Sequence, residues 1–104
     1  MRLVHVTRAA REDLLNIWEF IARDSVDAAD RVVAALQQAF DRLARNPAIG
    51  HMREDLAGRS LRFYRVYSYL VVFRLEEDDS LRVVRVLHAA RDVRSLLGWV
   101  LEDS

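Results

Sequence analysis

The chain of 104 residues contains no cysteine and no lysine, a single proline and only three glycines. Without cysteine it has no disulfide and no thiolate site for zinc or an iron–sulfur cluster. The glycines at positions 50, 58 and 98 stand apart from one another, so there is neither a glycine-rich phosphate loop nor a nucleophile elbow. We therefore expect neither nucleotide-dependent chemistry nor serine hydrolysis.

Long apolar runs are also missing. No segment approaches the roughly 20 apolar residues of a membrane span, and the first residues lack the apolar core of about 7 to 15 residues that marks a signal peptide. The absence of cysteine is typical of proteins kept in reducing conditions. These features predict a cytoplasmic protein that makes no contact with a membrane.

The three histidines, His5, His51 and His88, are scattered and form no HExxH pair. No helix face therefore brings metal ligands together, and we expect neither a metal nor a cofactor. The length and the apolar content of 52% are sufficient for one hydrophobic core but not for two. A single domain over residues 1–104 is the prediction.

All sixteen basic residues are arginine, and sixteen acidic residues balance them. The arginines can reflect the codon usage of a GC-rich genome or a need for planar, bidentate recognition of carboxylates or phosphates. Their distribution is uneven, because the acids between residues 59 and 91 are confined to the run "EEDD" at 76–79, while that segment holds Arg59, Arg62, Arg65, Arg74, Arg82, Arg85 and Arg91. Basic strands on either side of an acidic turn suggest an anionic partner.

Hydrophobic periodicity predicts the order of the elements. A short β-prone run at 3–6 precedes Thr7, a candidate helix N-cap, and helical spacing of apolar residues follows over 8–24 and again to about Arg45. Ser25 or Asp27 can cap the second helix, and Asn46-Pro47 ends it. Three runs rich in β-branched and aromatic residues then predict strands over 61–66, 69–75 and 81–87, the second of them central and buried on both faces.

The sequence thus predicts an α+β fold of the order β-α-α-β-β-β, with a helix hairpin packed on one face of a small, mainly antiparallel sheet. We expect Val84 and Val86 to pack against the hairpin and Arg85 to lie on the opposite, partner-facing side. Trp99 and Leu96 belong to an apolar C-terminal segment that either closes the core or anchors an interface.

The residue types for metal-free cleavage of RNA are present around "LHAARD" at 87–92. His88 can serve as acid or base, Arg65, Arg85 and Arg91 can hold the phosphate, and Tyr64, Tyr67 or Tyr69 can stack on a base or give a proton. The alternative is a strand end in which His88 hydrogen-bonds locally while Asp92 caps the following turn and pairs with an arginine. The residues alone leave both interpretations open.

Four segments together resemble the ParE/RelE superfamily of toxins from type II toxin–antitoxin systems. They are, in chain order, "AREDLLNIWEFIARDS", "AADRVVAALQQAFDRLARNPAIG", "REDLAGRSLRF" and "VVRVLHAARD". The superfamily fold, β-α-α-β-β-β, agrees with the order predicted from periodicity. The "IWEFIA" helix, the "RVLHAARD" ending and the absence of lysine are more similar to the ParE branch than to the RelE branch.

For the ParE branch, the resemblance implies inhibition of DNA gyrase by binding rather than by a catalysed reaction, with plasmid stabilisation and growth arrest as consequences. It also implies a cognate ParD-like antitoxin that forms a hetero-oligomeric complex with the toxin and alone contacts operator DNA. Arg59, Arg62, Arg65, Arg85, Leu96 and Trp99 are then the candidate contacts for the antitoxin or another partner. The RelE branch instead implies a ribosome-dependent mRNA endoribonuclease, for which His88, Arg85, Arg65 and Arg91 are the candidates and a tyrosine after Asp92 is missing.

Overall fold

The computed structural model describes residues 2–52 and 61–92. Three residues with predicted roles in binding, Arg59, Leu96 and Trp99, lie outside these residues. The described elements are the strand β1 (Val4–Val6), the helices α1 (Arg8–Ala22) and α2 (Val26–Arg45), a short 3-10 turn (Pro47–Ile49), and the strands β2 (His51–Met52), β3 (Arg62–Val66), β4 (Tyr69–Leu75) and β5 (Leu81–His88). The α+β class and the helix hairpin are confirmed.

Both helices begin at the predicted caps. The hydroxyl oxygen of Thr7 accepts the N–H of Ala10 at 3.1 Å, and that of Ser25 accepts the N–H of Ala28 at 3.1 Å. Each bond satisfies one of the backbone donors that a helix leaves free in its first turn. α2 ends where predicted, because Pro47 has no N–H with which to continue it. Neither helix is long and apolar enough to cross a membrane.

The sheet has the strand order β1-β5-β4-β3-β2, with β1 parallel to β5 and the other neighbours antiparallel. β4 is central, as predicted, and its residues Val71, Val72 and Phe73 are fully buried on alternating faces. β2 replaces part of a predicted loop. It is only two residues long and is defined by its pairing with Phe63 and Arg62 of β3, which no local pattern in the sequence indicates.

The sheet separates two apolar clusters. On the face covered by the helices, here the helix face, lie Leu36, Phe40 and Leu43 of α2 together with Val71, Phe73, Leu81, Val83 and Val86 of the sheet. On the other face, here the outer face, Leu61, Phe63, Val72 and Leu87 form a second buried cluster. The strands are therefore apolar on both sides, which explains why their sequences show little alternation.

A bulge in β5 overturns one prediction about its side chains. Val72 of β4 pairs with Arg85 and Phe73 pairs with Val83, so Val84 has no partner in β4. The extra residue shifts the alternation of side chains along the strand. Val86 packs on the helix face as predicted, but Val84 packs against the outer-face cluster, and the prediction for Val84 is wrong.

Candidate functional site

A groove runs between α1 and the end of β5. It has a volume of about 400 Å³ and is lined by Asp13, Asn16, Ile17, Glu19, Phe20 and Arg23 of α1, by Arg85, Val86 and Leu87 of β5, and by Arg91 and Asp92 of the turn that follows. We call it the α1–β5 groove. It exists because β1 ends at Val6, so that α1 takes the place of a strand along the rest of β5.

Asp13 and Arg85 join the two walls of this groove. The Asp13 carboxylate accepts the Nε–H of Arg85 at 2.8 Å and an Nη2–H at 2.9 Å, and it also accepts the backbone N–H of Val86 at 2.9 Å. The carboxylate is thereby bonded to the Arg85 guanidinium and to a backbone N–H of β5 that lies beyond the pairing with β1. These bonds to Asp13 raise the pKa of Arg85 above its ordinary value. Arg85 pairs with Val72 of the outer-face cluster, so it lies opposite Val86 as predicted, but its guanidinium is bonded to α1.

His88 closes the end of β5. Its Nδ1 accepts the backbone N–H groups of Ala90 at 3.2 Å and Arg91 at 3.1 Å, so this nitrogen carries no proton in the arrangement. The backbone N–H of His88 donates to the Asp92 carboxylate at 2.7 Å. This geometry corresponds to the local hydrogen-bonding alternative, in which His88 and Asp92 hold a turn.

The ring of His88 also contacts an aromatic side chain. It meets Tyr69 edge-on, with 5.5 Å between the ring centroids. Tyr69 is buried in the helix-face cluster, and the two residues face each other across β4 and β5. The imidazole is therefore fixed from two sides, by packing and by the turn.

An exposed aromatic side chain forms the rim of the groove. Phe20 is half exposed, and the guanidinium carbon of Arg91 lies 4.9 Å from the centre of its ring. The sequence interpretation did not single out Phe20, although it lies off the apolar stripe of α1 that Leu14, Ile17 and Ile21 define. An aromatic residue away from such a stripe is the signal that could have identified it.

The four nuclease candidates do not converge on one point. Arg65 pairs with Leu70, which in turn pairs with Leu87 of the outer-face cluster, so Arg65 lies on the outer face. The His88 ring lies on the helix face against Tyr69. Arg85 is bonded to Asp13, and Arg91 lies over Phe20. The structure brings Arg85 and Arg91 together in the α1–β5 groove and leaves Arg65 apart from them.

The arginines proposed as partner contacts are likewise divided between the two faces. Arg62 pairs with Phe73 on the helix face and donates to the carbonyl oxygen of Pro47 at 3.3 Å. Arg65 is exposed on the outer face and donates to the carbonyl oxygen of Tyr67 at 2.8 Å. A partner that contacts both side chains has to extend around the strand. Within residues 2–52 and 61–92, no cluster of three or more His, Asp or Glu residues is placed to hold a metal ion.

The sequence and the fold are similar to those of known bacterial toxins. The family model described as "ParE toxin of type II toxin-antitoxin system, parDE" matches residues 4–93. Toxin ParE1 of Mycobacterium tuberculosis is 35% identical over 86 residues, which span 82% of this chain and 87% of the relative.

Two solved structures share the fold. The chromosomal ParDE toxin–antitoxin system from P. aeruginosa includes a chain that superposes with a TM-score of 0.70 at 18% identity, covering 85% of this chain and 96% of that one. The toxin–antitoxin complex RelBE2 from Mycobacterium tuberculosis includes a chain with a TM-score of 0.62 at 26% identity, covering 84% of this chain and 96% of that one.

Proposed function

The chain belongs to the ParE family of toxins from type II toxin–antitoxin systems, and we propose that it acts in the cytoplasm by binding and inhibiting DNA gyrase. The family match over residues 4–93 carries this proposal. The scatter of the nuclease candidates supports it, because acid–base catalysis requires its groups within hydrogen-bonding reach of one substrate. Inhibition by binding requires only a surface.

The second part of the proposal is neutralisation by a cognate ParD-like antitoxin in a hetero-oligomeric complex, with operator DNA contacted only through the antitoxin. The α1–β5 groove supports it. Its apolar wall includes Ile17 and the half-exposed Phe20, and Arg23 and Arg91 stand at its margin. A partner segment with an apolar anchor and flanking acids would fit both features.

The direct test measures supercoiling of relaxed plasmid by purified gyrase in the presence of the purified chain. We expect loss of supercoiling or accumulation of a cleavage complex, and recovery when the antitoxin is added. A matched control is the variant His88→Asn, which keeps an acceptor near the position of Nδ1 and should inhibit as well as the wild type. Unchanged supercoiling and no cleavage complex at a large molar excess would remove the gyrase proposal.

The rival function is a ribosome-dependent mRNA endoribonuclease. The 26% identity to a chain of the toxin–antitoxin complex RelBE2 keeps this function open. Primer extension on translated mRNA distinguishes it from gyrase inhibition, because a nuclease of this type leaves cuts in the ribosomal A site. Cuts that appear with the wild type would favour the rival. Cuts that survive in a His88→Ala, Arg85→Ala variant would exclude these two residues as its catalysts.

A further inference from the structure

β1 is an open edge of the sheet. Among the residues that the structure describes, it pairs with β5 alone. Next to this pairing, the Leu81 N–H donates to the Leu3 carbonyl at 2.8 Å and the Thr7 N–H donates to the Val83 carbonyl at 3.1 Å. Because successive residues of a strand direct their N–H and carbonyl groups to opposite sides, those of Val4 and Val6 point away from β5. No residue among 2–52 and 61–92 forms a hydrogen bond with them. We call these two residues the β1 edge.

The β1 edge is short, at three residues, but it lacks the other usual protections against strand pairing. Edge strands are commonly blocked by proline, by charged residues such as lysine, or by a bulge. β1 reads Val-His-Val and has none of these features. Leu3, immediately before it, is 71% exposed. Within residues 2–52 and 61–92 the edge is therefore unpaired, and an exposed leucine flanks it.

A groove of about 520 Å³ lies beside the β1 edge on the helix face. It is lined by Val4 and Val6 of β1, Arg11 and Leu14 of α1, and Gln37, Phe40 and Asp41 of α2. Arg11 and Asp41 are exposed, and neither forms an ion pair with another described residue. The groove thus combines apolar walls with a cation and an anion that no described residue pairs.

We propose that the β1 edge joins two copies of this chain, with the two β1 strands antiparallel about a two-fold axis at His5. Val4 of each copy then faces Val6 of the other as a hydrogen-bonded pair, and the two pairs exchange four backbone hydrogen bonds. The contact extends the five-stranded sheet of each copy into one continuous sheet. Its register places the two His5 residues directly opposite each other as a non-hydrogen-bonded pair.

Charge favours a second copy over other occupants. A two-fold axis exchanges residue positions, so Arg11 of each copy can meet Asp41 of the other. A groove with a cation and an anion that no described residue pairs complements itself in this way. The formal net charge of the chain is zero, so there is little long-range repulsion between copies. The proposal requires neither gyrase nor an antitoxin and stands or falls independently of them.

The first test removes the edge donor. Val4→Pro deletes an N–H that points away from β5, so the strand keeps its bonds to its own sheet while losing two of the four bonds between copies. The matched control is Val26→Pro, which places proline at the first position of α2 after the Ser25 cap, where proline is well tolerated. Sedimentation velocity on the full chain over a concentration series should show a monomer–dimer equilibrium in the wild type and the control. The dissociation constant of Val4→Pro should rise by about tenfold or more.

The second test examines which residues of the two β1 strands face each other. The chain has no cysteine, so His5→Cys introduces a single thiol on each side of the proposed axis. Facing residues of a non-hydrogen-bonded pair have Cα atoms about 4.5 Å apart, a distance that a disulfide can span. Mild oxidation should therefore cross-link His5→Cys to a dimer, while the control Leu15→Cys, which is exposed on α1, stays monomeric.

Three results would overturn the proposal. The first is a wild type that stays monomeric at all concentrations. The second is a dimer with the same dissociation constant in the wild type and in Val4→Pro. The third is a His5→Cys chain that cross-links no faster than Leu15→Cys. A monomeric wild type whose antitoxin complex is weakened by Val4→Pro would instead assign the edge to an antitoxin strand. Circular dichroism of each variant separates loss of association from loss of folding.

Discussion

Asp13 of α1 and Arg85 of β5 are 72 positions apart in the chain, yet they form a two-point ion pair at 2.8 and 2.9 Å. The same carboxylate accepts the Val86 N–H at 2.9 Å, at the place where β1 no longer pairs with β5. The Asp13 side chain therefore neutralises a half-buried arginine and also accepts a hydrogen bond from a backbone N–H at the edge of β5. The α1–β5 groove keeps its shape because these bonds hold its walls together.

Replacing Asp13 with alanine should destabilise the fold. Arg85 and the Val86 N–H would both lose their partner in a partly buried position, which typically costs about 1 to 3 kcal/mol of the free energy of unfolding. Urea unfolding measures the change. The control is Glu12→Ala on the same helix, because Glu12 pairs with Arg8 in an exposed ion pair and such pairs contribute at most about 1 kcal/mol. Equal losses in the two variants would show that the Asp13 contacts contribute nothing special.

Substitutions of His88 should separate its structural role from a catalytic one. Asparagine places an amide oxygen near the position of Nδ1 and can accept the N–H groups of Ala90 and Arg91, whereas glutamine places its amide nearer the position of Nε2. We therefore expect His88→Asn to keep nearly wild-type stability and growth arrest, and His88→Gln to lose about 1 kcal/mol or more. Thermal unfolding and growth after induction measure the two effects. Loss of growth arrest in a fully folded His88→Asn chain would instead favour an enzyme.

The sequence predicted most of the fold because local signals mark it. The caps Thr7 and Ser25 and the stop at Pro47 act within one helical turn, and the boundaries they predicted agree with the structure. The bulge and β2 were not predictable in the same way. Both are defined by which residues pair across strands, as with Val84, whose direction depends on the pairing of Val72 with Arg85.

The candidate site was less accessible to sequence reasoning. Arg85 and His88 were identified by residue type, but residue type does not say which partner each will find. The carboxylate that binds Arg85 belongs to Asp13, on a helix at the other end of the chain. In the sequence, Asp13 is one of several polar residues on that helix. The role of His88 depends on the backbone geometry of the turn after β5, which places two N–H groups at its Nδ1.

Glu76 should make the stability of the fold depend on acid. Hydrogen bonds from Arg74 and Arg82 lower the pKa of Glu76 below its ordinary value. A carboxyl whose pKa is lower in the folded than in the unfolded state contributes stability above its unfolded pKa, and loses it as the pH falls through the folded value. The contribution of Glu76 is therefore complete at neutral pH and fades in the acid range.

The variant Glu76→Gln tests this dependence, since its side chain does not titrate. Its loss of stability relative to the wild type should be largest at neutral pH and should shrink below the ordinary pKa of a glutamate, about 4.3. Unfolding curves recorded from neutral to acid pH measure the difference. The exposed Glu77→Gln is the control and should follow the wild type at every pH. A difference for Glu76→Gln that stays constant across the range would contradict the prediction.

Gly50 should resist substitution because of its distance from a buried ring rather than its backbone angles. Its φ of −78° is open to any residue, but a Cβ added there would collide with the ring of Phe73. Phe73 is fully buried in the helix-face cluster and has no room to withdraw. Gly50→Ala should therefore destabilise the fold by about 1 to 3 kcal/mol, as overpacking does elsewhere.

The matched measurement is a double-mutant cycle with Phe73→Leu, whose side chain lacks the ring atoms nearest the added Cβ. Chemical unfolding of the four chains should give a combined loss smaller than the sum of the two single losses, by about 0.5 kcal/mol or more, because the two positions share one contact. Additive losses would mean that the alanine is accommodated by moving the short turn Pro47–Ile49 instead of straining against the ring.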